Sequence, residues 1–173
     1  MALTVFFSWQ VDRDGVDRAF IERALKDALK RIEADAAVEP AVRQEGIEVD
    51  RDTKGVAGTP PIVDTIFAKI DRAAIFVPDL TFVAKREDGR PSPNPNVLIE
   101  YGWALKSMGH SRMMPVMNIA HGKPTAEAMP FDMRHLRNPI QFDLPPGADA
   151  DRKKLERDKL SKELEAADRK SVV

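Results

Sequence analysis

A single carboxylate is the first residue in this chain placed to do chemistry. Residues 94–103 read NPNVLIEYGW, so Glu100 sits among Val, Leu, Ile, Tyr and Trp just after an Asn-Pro-Asn turn. A glutamate on a helix is ordinarily a solvated surface residue. This setting leaves two readings, a polar helix face or a carboxyl group held at the rim of a pocket. At helical spacing Val97, Tyr101 and Ala104 share one face, while Asn96, Glu100 and Trp103 share another, because i, i+3 and i+4 are neighbours. Cysteine is absent, which excludes disulfides, a thiol nucleophile and a cysteine-type zinc site. His110, His121 and His135 fall in loop-like stretches without metal-ligand spacing, so no metal is expected.

The elements that must position this carboxylate are legible as an alternation. Leu3 to Ser8 is a short apolar run that suits a buried strand. Val16 to Ala36 turns helical, with Phe20, Ile21, Leu25, Ala28, Leu29 and Ile32 forming one apolar stripe. A second strand spans Ile47 to Asp50, followed by the turn-rich loop RDTKGVAG. The next helix carries Ile62, Ile66, Phe67 and Ile70, with Thr59 as N-cap and Pro60 at N1. AAIFVPDL is a third strand, and the polar loop KREDGRPSPNP leads to the Glu100 helix, which ends near Gly109. RMMPVMNI and NPIQFDL read as strands four and five, and a charged helix follows from Asp149.

Apolar strands joined by helices argue for a parallel sheet covered on both faces. Right-handed crossovers then favour an α/β, flavodoxin-like doubly wound five-stranded sheet of order 2-1-3-4-5. In such a fold ligands bind beyond the carboxyl ends of the strands, at the switch point between the first and third. Ser8, Trp9 and Gln10 end the first strand, Arg51 and Asp52 follow the second, Asp79 ends the third, and the Glu100 helix starts at the same edge. Trp9 is expected either to cover the core edge or to stack on a flat ligand ring. Asp79 either caps a turn or contacts the ligand, and Asp52 with Lys54 is either an exposed loop pair or part of the site. Gly55 to Gly58 lets the loop approach a ligand closely or move. It matches neither a dinucleotide fingerprint nor a Walker sequence.

The composition bounds the partners. With 27 basic and 28 acidic residues the net charge is -1, so no broad field draws nucleic acid or an anionic membrane. No apolar run reaches the roughly 20 residues a membrane span needs. The start, MALTVFFSWQ, lacks a basic n-region and cleavage site, and the cytoplasm is the expected compartment.

Four stretches together resemble a Toll/interleukin-1 receptor (TIR) domain of the bacterial kind: TVFFSWQ, GIEVDRDTKGVAGTPPIVDTIFAKIDRA, AAIFVPDLT and NPNVLIEYGWAL. The resemblance covers roughly residues 3 to 120, more weakly to 143. It divides the chain into a TIR-like domain, 1–145, and a charged C-terminal helix, 146–173, that either packs as a last helix or leads to a sensor domain. The resemblance implies cleavage of the nicotinamide–ribose bond of NAD+, which is substrate rather than cofactor, by hydrolysis or cyclisation. Glu100 would be the catalytic carboxylate, stabilising the oxocarbenium character that develops on the ribose. Ser8, Trp9, Asp52, Lys54, Gly55, Asp79, Asn96 and Trp103 would contact substrate. Many family members carry Trp four residues before the glutamate, where this chain has Asn96. Self-association into an oligomer or filament, and a role in anti-phage defence, follow from the same resemblance. PNPNVLIEYGWAL also resembles nucleoside deoxyribosyltransferases, whose glutamate attacks the sugar. A non-catalytic assembly module is the third reading.

Overall fold

A computed structural model describes residues 3–10, 16–35, 38, 40–52 and 61–171. Among them the order is β1 (Leu3–Ser8), α1 (Val16–Ala34), α2 (Pro40–Glu45), β2 (Ile47–Asp50), α3 (Ile62–Arg72) and β3 (Ile75–Pro78). It continues through β4 (Phe82–Lys85), β5 (Pro91–Pro93), α4 (Pro95–Met108), β6 (Val116–Asn118), β7 (Ile140–Phe142) and α5 (Ala150–Ser171). β1 pairs in parallel with β2 on one side and β3 on the other, and β6 and β7 form a second parallel pair.

Two cores follow from the strand period of two, which sends successive side chains to opposite faces. Val5, Phe7, Ile75, Val77, Val116 and Phe142 share one core with Ile21, Leu25, Leu160 and Leu164 of α1 and α5. Phe6, Phe76 and Met117 share the other with Ile70 of α3 and Val97, Tyr101 and Ala104 of α4. Helices therefore cover both faces of a parallel sheet, the layering of a flavodoxin-like α/β fold.

The expected single five-stranded ladder is not continuous. The three-stranded sheet and the β6–β7 pair meet only at isolated parallel bridges, Phe76 with Met113 and Asp79 with Val116. The cause is local. Met114 N–H donates to the Phe76 carbonyl and Leu80 N–H to the Val116 carbonyl, both at 2.9 Å. The donor due between them would come from Pro78, which has no N–H to give.

Other expectations need correction. The polar stretch after β3 is not all loop: β4 and β5 form an antiparallel hairpin, closed by Arg86 N–H to the Arg90 carbonyl at 2.8 Å, with Gly89 at φ 79°. Phe82 anchors it, almost fully buried. The short helix α2 was unanticipated, and α1 ends at Ala34 rather than Ala36. α3 begins at Ile62, behind Pro61 at ψ 120° and with no side-chain cap; Thr59 and Pro60 lie outside the described residues. The C-terminal helix packs on α1, which agrees with one of the two readings left open for it. Leu160 and Leu164 are buried in the first core, Arg31 of α1 bonds Glu165 at 2.7 Å and also Ser161, and Arg157 pairs with Asp27 at 3.4 Å.

Candidate functional site

The Glu100 helix is started by its own sequence. Asn94 takes an extended conformation and its Oδ1 accepts from Asn96 N–H at 2.8 Å and Val97 N–H at 3.3 Å, while Pro95 supplies the pre-set first helical residue. Val97, Tyr101, Ala104 and Met108 are the buried face, as the spacing predicts. Burial of that stripe turns Glu100, half-buried, toward the end of β1.

There the Ser8 hydroxyl donates to Glu100 Oε2 at 2.5 Å, joining β1 to α4 across 92 residues. That length is typical of a hydroxyl bonded to a carboxylate. Burial raises the Glu100 pKa, and the Ser8 hydrogen bond opposes the rise. A cleft of about 170 Å³ opens beside this pair, lined by Ser8, Trp9, Gln10, Asp52, Ile66, Asn94, Asn96 and Glu100 over a floor of Phe6 and Phe7. Five of the nine expected site residues thus meet in one cleft: Ser8, Trp9, Asp52, Asn96 and Glu100. Asp52 does so at φ 43°, a left-handed conformation uncommon outside glycine.

Trp9 is held from one face. The Arg18 guanidinium of α1 lies 3.9 Å from its ring centroid, and Arg18 makes no ion pair among the described residues. A cation held by π-stacking, with no ion-pair partner among the described residues, therefore stands beside the cleft's aromatic wall.

Asp79 and Trp103 do not line the cleft. Asp79 is fully buried beneath it, its Oδ1 accepting from Thr81 N–H at 3.0 Å. Burial pushes its pKa up to about 6 with the Asp17 carboxylate adding to the rise, while hydrogen bonds from Thr81 and Gln10 oppose it. Next to it, Asn118 Nδ2 donates to Asp17 Oδ1 and to the Leu144 carbonyl, both at 2.9 Å, and Asn118 N–H donates to Thr81 Oγ1 at 2.9 Å. This buried network ties β3, α1, β6 and the end of β7 together. Trp103 lies one turn beyond Glu100, stacked on Phe67 of α3 at 4.3 Å, with its Nε1 donating to Asp71 at 2.8 Å. Lys54 and Gly55, with the rest of the loop through Gly58, lie outside the described residues.

Asn94 and Ile66 belong to the cleft but were not anticipated as site residues, and Gln10, expected at this edge, was assigned no substrate contact. Asn94 had a signal, since an Asn before Pro is a helix-start pattern, and helix starts sit at the sheet edge. Ile66 had none of comparable strength.

The cleft can hold one ring-sized group against a half-buried carboxylate. It can hydrogen-bond ligand hydroxyls through Glu100, Asn96 and Asp52, and it can favour positive charge developing beside Glu100. Larger cavities, of about 520 and 210 Å³, lie elsewhere along α4. The smaller cleft is the one at the carboxyl ends of the strands, where this fold binds its ligands. Among the described residues no cluster of three or more potential metal ligands occurs.

No family model matches the sequence, and no curated protein does. Among solved structures, the chain is similar to a flavodoxin-like domain from Synechococcus sp., at 10% identity and a TM-score of 0.45, over 95% of this chain and 96% of that one. It is likewise similar to a diflavin flavoprotein A3 from Nostoc sp., at 11% identity and a TM-score of 0.45, over 99% of this chain and 96% of that one. Likenesses at this level carry no ligand or activity to this chain, and its architecture rests on its own strand pairing and layering.

Proposed function

We propose that the chain is a TIR-like NAD+ glycohydrolase, in which the two parallel units act as one sheet of order β2-β1-β3-β6-β7 and Glu100 is the catalytic carboxylate. The observation that carries this reading is the Ser8–Glu100 hydrogen bond at the mouth of a cleft beside the carboxyl end of β1. In the reaction the bond from ribose C1′ to the nicotinamide nitrogen breaks, and its electron pair leaves with neutral nicotinamide. Positive charge appears on the ribose, beside the Glu100 carboxylate, which stabilises it. Water then adds at C1′ and loses a proton; an internal nucleophile of the ADP-ribose at the same carbon gives a cyclised product instead.

At about 170 Å³ the cleft is below the usual range of roughly 300–1,000 Å³ for whole-ligand pockets. It suits a single ring of the nicotinamide-ribose end, so the diphosphate lies outside. Arg18 supports a phosphorylated substrate there, as a guanidinium beside Trp9 with no ion pair among the described residues. That favours a dinucleotide over the unphosphorylated nucleosides of the deoxyribosyltransferase reading. Self-association, the other element of the resemblance, finds support in Ile62, Val63, Ile99 and Trp103, large apolar residues exposed on α3 and α4.

The deciding experiment measures nicotinamide release from NAD+ at high protein concentration. Glu100→Gln is expected to lower the rate by about 100-fold or more with unchanged unfolding temperature, the scale of losing one transition-state stabiliser. Equal rates in wild type and variant overturn the reading. Base exchange on deoxynucleosides moves it to the transferase, and assembly without turnover to the scaffold.

A further inference from the structure

The largest cavity among those described lies at the opposite edge of the sheet from Ser8. It holds about 520 Å³, within the range of small-molecule sites, and adjoins a lobe of about 210 Å³. Its walls are the turn after α4, the chain entering β6 and β7, and the last turns of α5. The two lobes share Tyr101, Pro115 and residues 136–139.

Four features give this groove a chemistry. Tyr101 is only 6% exposed, lines both lobes, and its hydroxyl makes no hydrogen bond among the described residues. Its oxygen is not among the enclosed unpaired polar atoms, so it opens to the groove and a ligand there can reach it. Arg137 also lines both lobes and makes no ion pair among the described residues, whereas Arg134 is tied to the Met129 carbonyl at 3.3 Å and lies over Phe131. Met113, Met114 and Pro139 supply an apolar floor, and methionine moulds itself to varied apolar shapes. Glu163 stands exposed on the α5 wall without an ion pair among the described residues and opposes negative charge near it, so Arg137 offsets at most a single ligand charge.

We propose that this groove is a second ligand site, for an organic monoanion with an elongated apolar body. Its carboxylate is held by the Arg137 guanidinium and the Tyr101 hydroxyl, and its body lies on the methionine and proline floor. The site is independent of the Glu100 cleft and of the activity assigned there. Tyr101 follows Glu100 directly in α4, so one helix carries a wall of each.

Amide-resolved NMR titration of the full chain with octanoate tests the proposal, with 1-octanol as the uncharged control. Saturable shifts are expected at Met113, Met114, Leu136 and Ile140. Arg137→Ala is expected to weaken octanoate about tenfold or more, and Tyr101→Phe, which keeps the ring, by severalfold. 1-Octanol is expected to bind wild type and Arg137→Ala alike. Glu100→Gln is expected to bind octanoate as wild type does, which keeps this result separate from the NAD+ assay. Shifts confined to Val63, Ile99 and Trp103, octanoate binding unchanged in Arg137→Ala, or no saturable shift at millimolar octanoate would each overturn it.

Discussion

A serine hydroxyl 2.5 Å from a half-buried carboxylate sets the charge of that carboxylate as well as its position. Burial favours the protonated form of Glu100, and the Ser8 bond favours the charged form that cleavage requires. Ser8→Ala removes the opposing effect, so the acid limb of the NAD+ cleavage profile is expected to move to higher pH. A profile that drops in height without moving would assign Ser8 a purely spatial role. Asp79 makes the complementary case for stability. Its folded pKa of about 6 exceeds its ordinary 3.8, so the folded state keeps a proton that the unfolded state releases. That contribution is complete below about pH 4, is lost as pH rises to about 6, and is flat above. Asp79→Asn keeps an oxygen for Thr81 N–H and cannot ionise. It is expected to lack this decline and to exceed wild type at pH 7 by up to about 3 kcal/mol, at about 1.4 kcal/mol per unit. Denaturant midpoints between pH 4 and 7 check this, and parallel curves for the two proteins would remove Asp79 from the account.

At the scale of elements, α4 was the most legible. Its cap, its buried stripe and its position at the sheet edge all follow from NPNVLIEYGWAL. Angular spacing alone misplaced Trp103. The residue shares Glu100's side of the helix, but three residues advance the axis by about 4.5 Å, away from the edge and into reach of Phe67. There it joins α4 to α3. Trp103→Ala is expected to cost about 1–2 kcal/mol in chemical denaturation, from a lost aromatic pair and one hydrogen bond at a partly exposed site. Nicotinamide release per folded molecule is expected to hold, because Trp103 does not line the cleft; a selective loss of turnover would return it to the site. The β4–β5 hairpin was illegible for a different reason. Lys85 to Arg90 is exposed and charged, so no period of two survives there.

At the scale of the molecule, the two-faced α/β layering was readable because β1, β3 and β6 are apolar on both sides. The place of α5 was not. Its apolar set is sparse, and only the partners on α1 and β7 show that Leu160 and Leu164 complete the first core. The break in the sheet was written in the sequence as Pro78, inside a run that otherwise reads as an uninterrupted strand. Its consequence is kinetic. On its β1 side, β3 is flanked by bonds from Ala74 N–H to the Thr4 carbonyl and Asp79 N–H to the Ser8 carbonyl; on its β6 side, the Met114 and Leu80 amides bracket the missing donor. Sub-global opening follows the weaker line. Met114 and Leu80 are expected to exchange their amide hydrogens for deuterium before Ala74 and Asp79, and simultaneous exchange of all four would show a sheet that opens only as a whole. Because Ser8 and Glu100 sit on the β1–β3 side of that line, the protein can part along the seam and still keep its carboxylate in register.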